Sequence, residues 1–234
     1  MKTYAAIILS FALALSVSVQ PAKAYVLVEY DEVYTGALPA GPTPWLTALF
    51  ENPGEDLSGY SFAEGVLLTL AAPNLTGTEF VSDWYFNFAK DVQQLDFEFL
   101  ATEFPDSVVP AVTTLEELTA DSKLFHAGAG LKFAINIPYA TSNSNEGTSG
   151  RFMEGMLSRF LISSTEAISA QDFNVVIDKN DELFISVAHI QAIDGEESAW
   201  VKGCDPPEIV PEPSSWLLLG LGGLLVAARR YFFA

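Results

Sequence analysis

Apolar residues recur at every second position along much of the chain, and this pattern is typical of strands with one buried face. The clearest case is segment 131–137, where we expect Leu131, Phe133, Ile135 and Ile137 to share a face. Two similar sets are Trp84, Phe86 and Phe88, and Phe173, Val175 and Ile177. Further strands are predicted at residues 25–34, 45–50, 66–71, 95–100, 159–163 and 183–190.

The segments between these strands are rich in turn-forming residues, such as Asn52-Pro53-Gly54 and the polar run 141–150. A helix is predicted only at 114–120, which begins with Thr114 and carries acidic residues in its first turn. Many short strands without intervening helices indicate a mainly β fold. We therefore predict an antiparallel, jelly-roll-like β-sandwich over residues 25–203, with a β-barrel as the alternative.

The N-terminal residues have the features of a secretory signal peptide. Lys2 precedes an apolar run without charge at 4–19, and Ala22-Lys23-Ala24 places small residues where signal peptidase cleaves. Residues 1–24 are therefore predicted to be removed before Tyr25. The alternative is an uncleaved N-terminal anchor.

The C-terminal residues are predicted to cross a membrane. Residues 216–228 are uncharged but reach only about 20 Å as a helix, against a hydrocarbon core of about 30 Å. A helix over 214–233 reaches about 30 Å, with Arg229 and Arg230 extending to the interface on the cytoplasmic side. The alternative is a buried helix at the end of the core.

This tail resembles a known sorting signal. Pro211-Glu212-Pro213, the apolar segment after it and the pair Arg229-Arg230 are similar to the PEP-CTERM sorting domain of exported bacterial proteins. The resemblance implies that exosortase recognises the Pro-Glu-Pro site, removes the helix and passes the ectodomain to the cell surface or extracellular matrix of a Gram-negative bacterium. It also implies a transient anchor in the inner membrane. Four residues follow the arginine pair, where the family's tail usually ends sooner.

The body carries a second resemblance, which is weaker in its implications. Segments 45–50, 66–70, 74–81, 83–87, 188–191 and 198–201 are similar to ectodomains that recur among PEP-CTERM proteins. The end motif of that group is usually richer in glycine than residues 193–197 of this chain. The resemblance implies a β-rich exported body and supplies no reaction. Association with exopolysaccharide or biofilm is our expectation for an exported protein of this kind.

Charge and cysteine content narrow the possible partners. Residues 25–210 hold 29 acidic and seven basic residues, a net charge of −22, which repels nucleic acid and anionic lipid. The single cysteine, Cys204, excludes an intrachain disulfide. It begins a proline-rich segment, 204–210, that we interpret as an extended linker between the body and the sorting signal at 211–234.

Residues 178–182 raise the question of a calcium site. The spacing of Asp178, Asn180 and Glu182 resembles the first oxygen ligands of a calcium loop. An EF-hand also requires glycine and glutamate where this chain has Leu183 and His189, so that motif is excluded. The remaining interpretations are a looser surface calcium site and a polar hairpin turn. No other cofactor is predicted.

Other candidate residues point to structure more than to chemistry. His189 is predicted to lie on a strand, either as a hydrogen-bonded structural histidine or beside a groove with Trp200. The aromatic residues at 84–88 are core residues or a stacking platform for sugars. The sequence contains no Gly-x-Ser-x-Gly motif, and its many acids nominate no catalytic pair. We expect a non-enzymatic surface protein; the alternatives are a carbohydrate-binding module, with or without calcium, and a glycan hydrolase.

Overall fold

The computed structural model describes residues 25–55, 57–103, 125–127, 130–141, 150–179 and 181–203. All of them belong to one compact unit that spans residues 24–208. The predicted signal peptide, the helix at 114–120, the linker and the sorting tail lie outside the described residues. Within the described ranges, no helix combines the length and hydrophobicity that a membrane crossing requires.

Strands account for most of the described residues, which confirms the mainly β prediction. They are β1 Tyr25–Tyr30, β2 Glu32–Gly36, β3 Leu46–Glu51, β4 Val66–Ala71, β5 Phe80–Phe86, β6 Leu95–Glu103, β7 Phe125–Ala127, β8 Leu131–Phe133, β9 Ile135–Pro138, β10 Phe152–Met153, β11 Leu157–Ser164, β12 Ile177–Lys179, β13 Glu182–Phe184, β14 Ser186–Ile193 and β15 Glu197–Gly203. Two short 3-10 helices lie at Val92–Gln94 and Ala170–Phe173.

The strands form two main sheets in which every pairing is antiparallel. The first sheet has the order β1-β3-β4-β11-β6, and the second has the order β10-β5-β14-β15-β2 with β9 also paired to β5. Two small hairpins, β7–β8 and β12–β13, complete the described strands. Because the described strands form separate sheets with open edges, the barrel alternative is wrong.

The two sheets share one hydrophobic core. Tyr30 of the first sheet meets Trp84 of the second edge to face, with ring centroids 5.2 Å apart. Phe50 meets Phe86 in the same way at 5.3 Å and stacks on Phe173 at 4.6 Å. Each of these rings is essentially buried. Edge-to-face aromatic pairs of this kind add to the stability that burial alone provides, so the contacts hold the inner faces of the two sheets together.

A second, smaller cluster lies apart from this core, and we call it the outer cluster. Its buried members are Tyr85, Ala127, Leu131, Phe133, Phe184 and Val187. Tyr85 and its strand neighbours Trp84 and Phe86 are all buried. Strand β5 is therefore covered on both faces, whereas the alternation of aromatic residues predicts a half-buried strand.

The predicted single face at 131–137 is wrong. The chain bends at Ala134, whose backbone N–H donates to Asn87 Oδ1 at 3.1 Å, and this bend separates β8 from β9. Leu131 and Phe133 consequently pack into the outer cluster, whereas Ile135 and Ile137 pack into the main core. All four are buried, as predicted, but on two different faces.

The predicted strand at 173–177 is also wrong. Phe173 ends the 3-10 helix Ala170–Phe173, and β12 begins only at Ile177. The Asp172 carboxylate holds this helix in place, because it accepts the backbone N–H of Ser169 at 2.7 Å and the ammonium of Lys90 at 3.0 Å. The helix directs Phe173 onto Phe50 in the core.

Candidate functional site

The sorting residues Pro211, Glu212, Pro213, Arg229 and Arg230 lie outside the described residues, as do Ala22, Ala24 and Cys204. The structure does describe the surface from which the linker departs. That surface surrounds Gly203, which is the last residue of β15 and the last described residue of the chain. It is therefore the part of the body closest along the chain to the sorting signal.

Strand β15 is paired and hydrogen-bonded up to its final residue, Gly203. Gly203 pairs with Ser186, and its carbonyl oxygen accepts the N–H of Ile185 at 3.0 Å. Gly203 is also buried, and a Cβ added there would overlap Cγ1 of Val28 in strand β1. A larger residue at this position would therefore require the buried Val28 side chain to move.

An ion-pair network fixes Lys202, the residue just before Gly203. The Lys202 ammonium lies 2.7 Å from Glu182 Oε2 and 3.1 Å from Glu32 Oε1. The Lys202 side chain is 6% exposed, whereas those of Glu182 and Glu32 are 46% and 57% exposed. A buried cation with two partners resists separation far more than a surface pair does. Lys202 thus fastens both β2 and the hairpin β12–β13 to β15.

The Lys202 network bears on the calcium site predicted at residues 178–182, because it includes Glu182. Glu182 is already bound to Lys202, Asp178 is exposed on β12 opposite Leu183, and Asn180 lies outside the described residues. In the described part of the chain, no group of three His, Cys, Asp or Glu side chains is arranged to hold a metal ion. The hairpin formed by β12 and β13 agrees with the turn interpretation, and the calcium site stays a prediction.

His189 is held within the fold by a hydrogen bond and a ring contact, which agrees with the first of the two interpretations. Its ring stacks on Trp200 with centroids 4.3 Å apart and planes 7° from parallel, and Nδ1 lies 3.0 Å from the Ser82 hydroxyl. Tyr85 approaches Trp200 with a centroid distance of 5.6 Å. The Trp200 indole therefore contacts the rings of both His189 and Tyr85.

The environment of His189 favours its neutral form. Burial lowers the pKa of the imidazole, and the negative charge of Asp83, with Oδ2 4.0 Å from Nδ1, opposes this shift only in part. Because the folded protein binds this proton less readily than the unfolded chain, stability is greatest above the unfolded pKa of about 6.5 and declines as the pH falls below it.

Replacing His189 by asparagine is therefore expected to reduce the loss of stability on acidification. The variant cannot take up the proton that the unfolded wild-type chain binds. Thermal unfolding measured from about pH 8 to about pH 5 tests this, with Asp83→Asn as the comparison, since loss of the Asp83 charge steepens the decline. Identical pH profiles for wild type and His189→Asn would contradict it.

The aromatic residues at 84–88 are core residues. Trp84, Tyr85, Phe86 and Phe88 are between 0% and 8% exposed, so no ring face is open to a sugar. The platform interpretation is wrong because β5 lies between the main core and the outer cluster.

A shallow groove lies at the opposite end of β15 from Gly203. It has a volume of about 260 Å³, and its walls include Ala40, Thr76, Glu79 and Asp194. The two carboxylate oxygens of Glu79 accept the backbone N–H groups of Ala40 at 2.9 Å and Thr76 at 2.8 Å. Glu79 therefore joins the surrounding loops.

The ion-pair network around Lys202 was not predicted. The strand that carries Lys202 could have been predicted, because Ala199 and Val201 alternate with Trp200 and Lys202. The partners of Lys202 come from strands distant in sequence, and pairing between such strands is not encoded locally.

Comparison with known proteins identifies the tail. Residues 210–230 match the family model of the PEP-CTERM protein-sorting motif, and this range contains Pro211, Glu212, Pro213, Arg229 and Arg230. No curated protein and no solved structure gives a match to the chain. The predicted resemblance of the tail is confirmed: the chain carries a PEP-CTERM protein-sorting motif, which implies export and processing by exosortase.

Proposed function

We propose that this chain is a non-enzymatic surface or extracellular-matrix protein, whose β-sandwich body is the cargo of the sorting tail. The observation that carries the proposal is the sorting motif at 210–230. The motif begins at residue 210, shortly after β15 ends at Gly203. The two sheets of the body share one core, and β15 is paired with β14 up to Gly203. A folded, self-contained body joined to a removable tail is the arrangement that such sorting requires.

Three steps follow from this arrangement. Signal peptidase cleaves after Ala24 and leaves Tyr25, the first residue of β1, as the new N-terminus. The apolar tail then holds the body at the outer face of the inner membrane, with Arg229 and Arg230 on the cytoplasmic side. Cleavage near Pro211, Glu212 and Pro213 releases the body toward the cell surface or matrix.

The described polar side chains support a structural role for the body. Glu51, Glu79 and Asp172 accept backbone N–H groups that fix loops, and Glu182 pairs with Lys202. A catalytic carboxylate or histidine must instead reach a reacting group. These four carboxylates are engaged in holding the fold, which supports a structural role for them.

The acidic surface fits a released protein. A net charge of −22 over residues 25–210 favours solubility and repels anionic lipid, so the body has little tendency to stay on the membrane after the tail is removed. Retention outside the cell then depends on a matrix component, for which exopolysaccharide is our proposal.

The proposal predicts that the processed body co-fractionates with extracellular polysaccharide. Its amount in the matrix and in the free medium is measured in the host and in a strain that makes no exopolysaccharide. We expect the body to move from the matrix to the medium in that strain. A body that is equally distributed in both strains would contradict the association with polysaccharide, while leaving sorting by the tail unaffected.

A further inference from the structure

Glu51, the last residue of β3, is a buried carboxylate with only one of its two oxygens bonded. It is 0% exposed. Oε1 accepts the backbone N–H groups of Leu57 at 2.7 Å and Ser58 at 3.0 Å. Oε2 is buried and accepts no hydrogen bond from the described residues, and Glu51 belongs to none of the ion pairs among them. Because a buried charge is costly unless it is paired or binds a metal, Oε2 calls for a partner from outside the described chain.

Glu79 provides a contrast within the same body. It is 3% exposed, and both of its oxygens accept hydrogen bonds. Oε1 accepts the N–H of Ala40, and Oε2 accepts the N–H and the hydroxyl of Thr76. The two buried glutamates therefore differ in that the backbone and side chains of the body satisfy Glu79 but leave one oxygen of Glu51 unbonded.

Two hydroxyl groups close to Glu51 are also without partners in the described part of the chain. Ser58 is held beside Glu51 by its backbone N–H, and its hydroxyl oxygen is buried and unbonded. Thr69 of β4 is 8% exposed, and its Oγ1 is likewise buried and unbonded. Thr69 pairs with Arg159 of β11, whose guanidinium donates to the Ser58 carbonyl oxygen at 3.2 Å. Ser58 therefore extends from Glu51 to the pair of strands that carries Thr69.

The strand register places Glu51 and Thr69 on the same face of the first sheet. Glu51 lies opposite Leu67, which is two residues before Thr69 on β4. Side chains two residues apart on a strand share a face, and Leu68 between them points into the main core. Glu51 and Thr69 are thus diagonal neighbours on the face away from the core, a relation with Cβ atoms about 7 Å apart. This spacing allows one ion to contact both side chains and the Ser58 hydroxyl.

We propose that Glu51, Ser58 and Thr69 bind one calcium ion on this face. Calcium accepts oxygen ligands in irregular arrangements, whereas magnesium requires near-ideal octahedral geometry and keeps several waters. The three side chains supply one charged and two neutral oxygens, and Glu55 of the same loop is a second buried carboxylate at 7% exposure. The positive charge of Arg159 opposes the ion, but its guanidinium donates to the Ser58 carbonyl and forms no ion pair with Glu51. The ion fastens the loop after β3 to the sheet.

Calcium titration of the full-length protein tests the site. Metal is removed with EDTA, and calcium is added in about 0.15 M salt, which screens the general attraction of the acidic surface. We expect one site with a Kd of about 10⁻⁴–10⁻³ M, the range of extracellular calcium modules. Calcium at about ten times this Kd should raise the midpoint of thermal unfolding by about 3–6 °C. The proposal is independent of the sorting function, because it requires only the folded body and the ion.

Two glutamate variants locate the site. Glu51→Gln should weaken calcium binding by about tenfold or more, because it removes the charged ligand. Glu79→Gln is the matched control, since it neutralises a second buried glutamate whose oxygens are already bonded. The control should bind calcium as the wild type does. Absence of calcium binding in the wild type, or equal weakening by the two substitutions, would overturn the proposal.

Thr69→Val separates a ligand from a purely structural side chain and serves as the test if Glu51→Gln does not fold. Valine has a shape similar to that of threonine but lacks the hydroxyl. Without calcium the variant should be at least as stable as the wild type, because the buried hydroxyl has no hydrogen bond to lose. With calcium it should lose most of the rise in the unfolding midpoint. A rise equal to that of the wild type would overturn the proposal.

Discussion

Replacing Pro211, Glu212 and Pro213 together by alanine should leave the body folded and retain the full-length chain at the inner membrane. These residues form the Pro-Glu-Pro element within the matched range, and they lie eight or more residues beyond the last described strand. If exosortase recognises this element, as we propose, the substitution removes the recognised groups. Since a site built for specific polar groups rejects a substrate that lacks them, release should fall by about a hundredfold or more.

The measurement is the fraction of the protein found in the membrane and outside the cell. Pro206→Ala with Pro207→Ala is the matched control, because it removes two prolines from the linker outside the matched range 210–230. The control should be released at the normal rate. Normal release of the Pro211-Glu212-Pro213 variant would contradict the sorting role of the motif.

Phe50→Ala is expected to have the largest effect on stability among single substitutions in the body. The Phe50 ring is 1% exposed, meets Phe86 of the facing sheet and stacks on Phe173 of the 3-10 helix. Truncation removes the buried ring and leaves a cavity between three elements, so the free energy of unfolding should fall by about 3–5 kcal/mol.

Chemical unfolding of the isolated body, residues 25–203, with the tail absent gives this free energy directly. Phe99→Ala is the comparison, because Phe99 is 39% exposed and should cost much less. A loss at Phe50 no greater than that at Phe99 would contradict the shared core between the two sheets.

The strands were predictable where a mainly apolar run is not interrupted by tertiary contacts. Residues 66–71 are an example, since the predicted strand coincides with β4, which lies in the middle of the first sheet and is buried over its first five residues. Prediction was less accurate where tertiary contacts interrupt a strand. The predicted strand 25–34 is broken at Asp31, and the predicted strand 183–190 is divided into β13 and β14.

Period-two alternation indicates that a residue is buried but does not identify the cluster that buries it. Phe133 and Ile135 follow the same alternation, yet they belong to different clusters because Asn87 binds the backbone between them. Phe173 likewise reaches the core from a 3-10 helix that depends on Lys90, some 80 residues earlier in the chain. Such long-range contacts leave no trace in a local pattern.

The sorting signal was predictable because it is linear. The motif is a stretch of contiguous residues, 210–230, so it is recognisable in the sequence without any folding. The ion-pair network of Lys202 was not predictable, because Glu32 and Glu182 reach Lys202 only through contacts between strands that are distant in sequence.

The central claim is that the tail is a temporary anchor which is removed from a folded body. Intact-mass analysis of the protein released by the host tests this most directly. The account predicts a released chain that begins at Tyr25 and ends near Pro211 to Pro213. A released chain that retains the apolar segment and Arg229-Arg230 would contradict it.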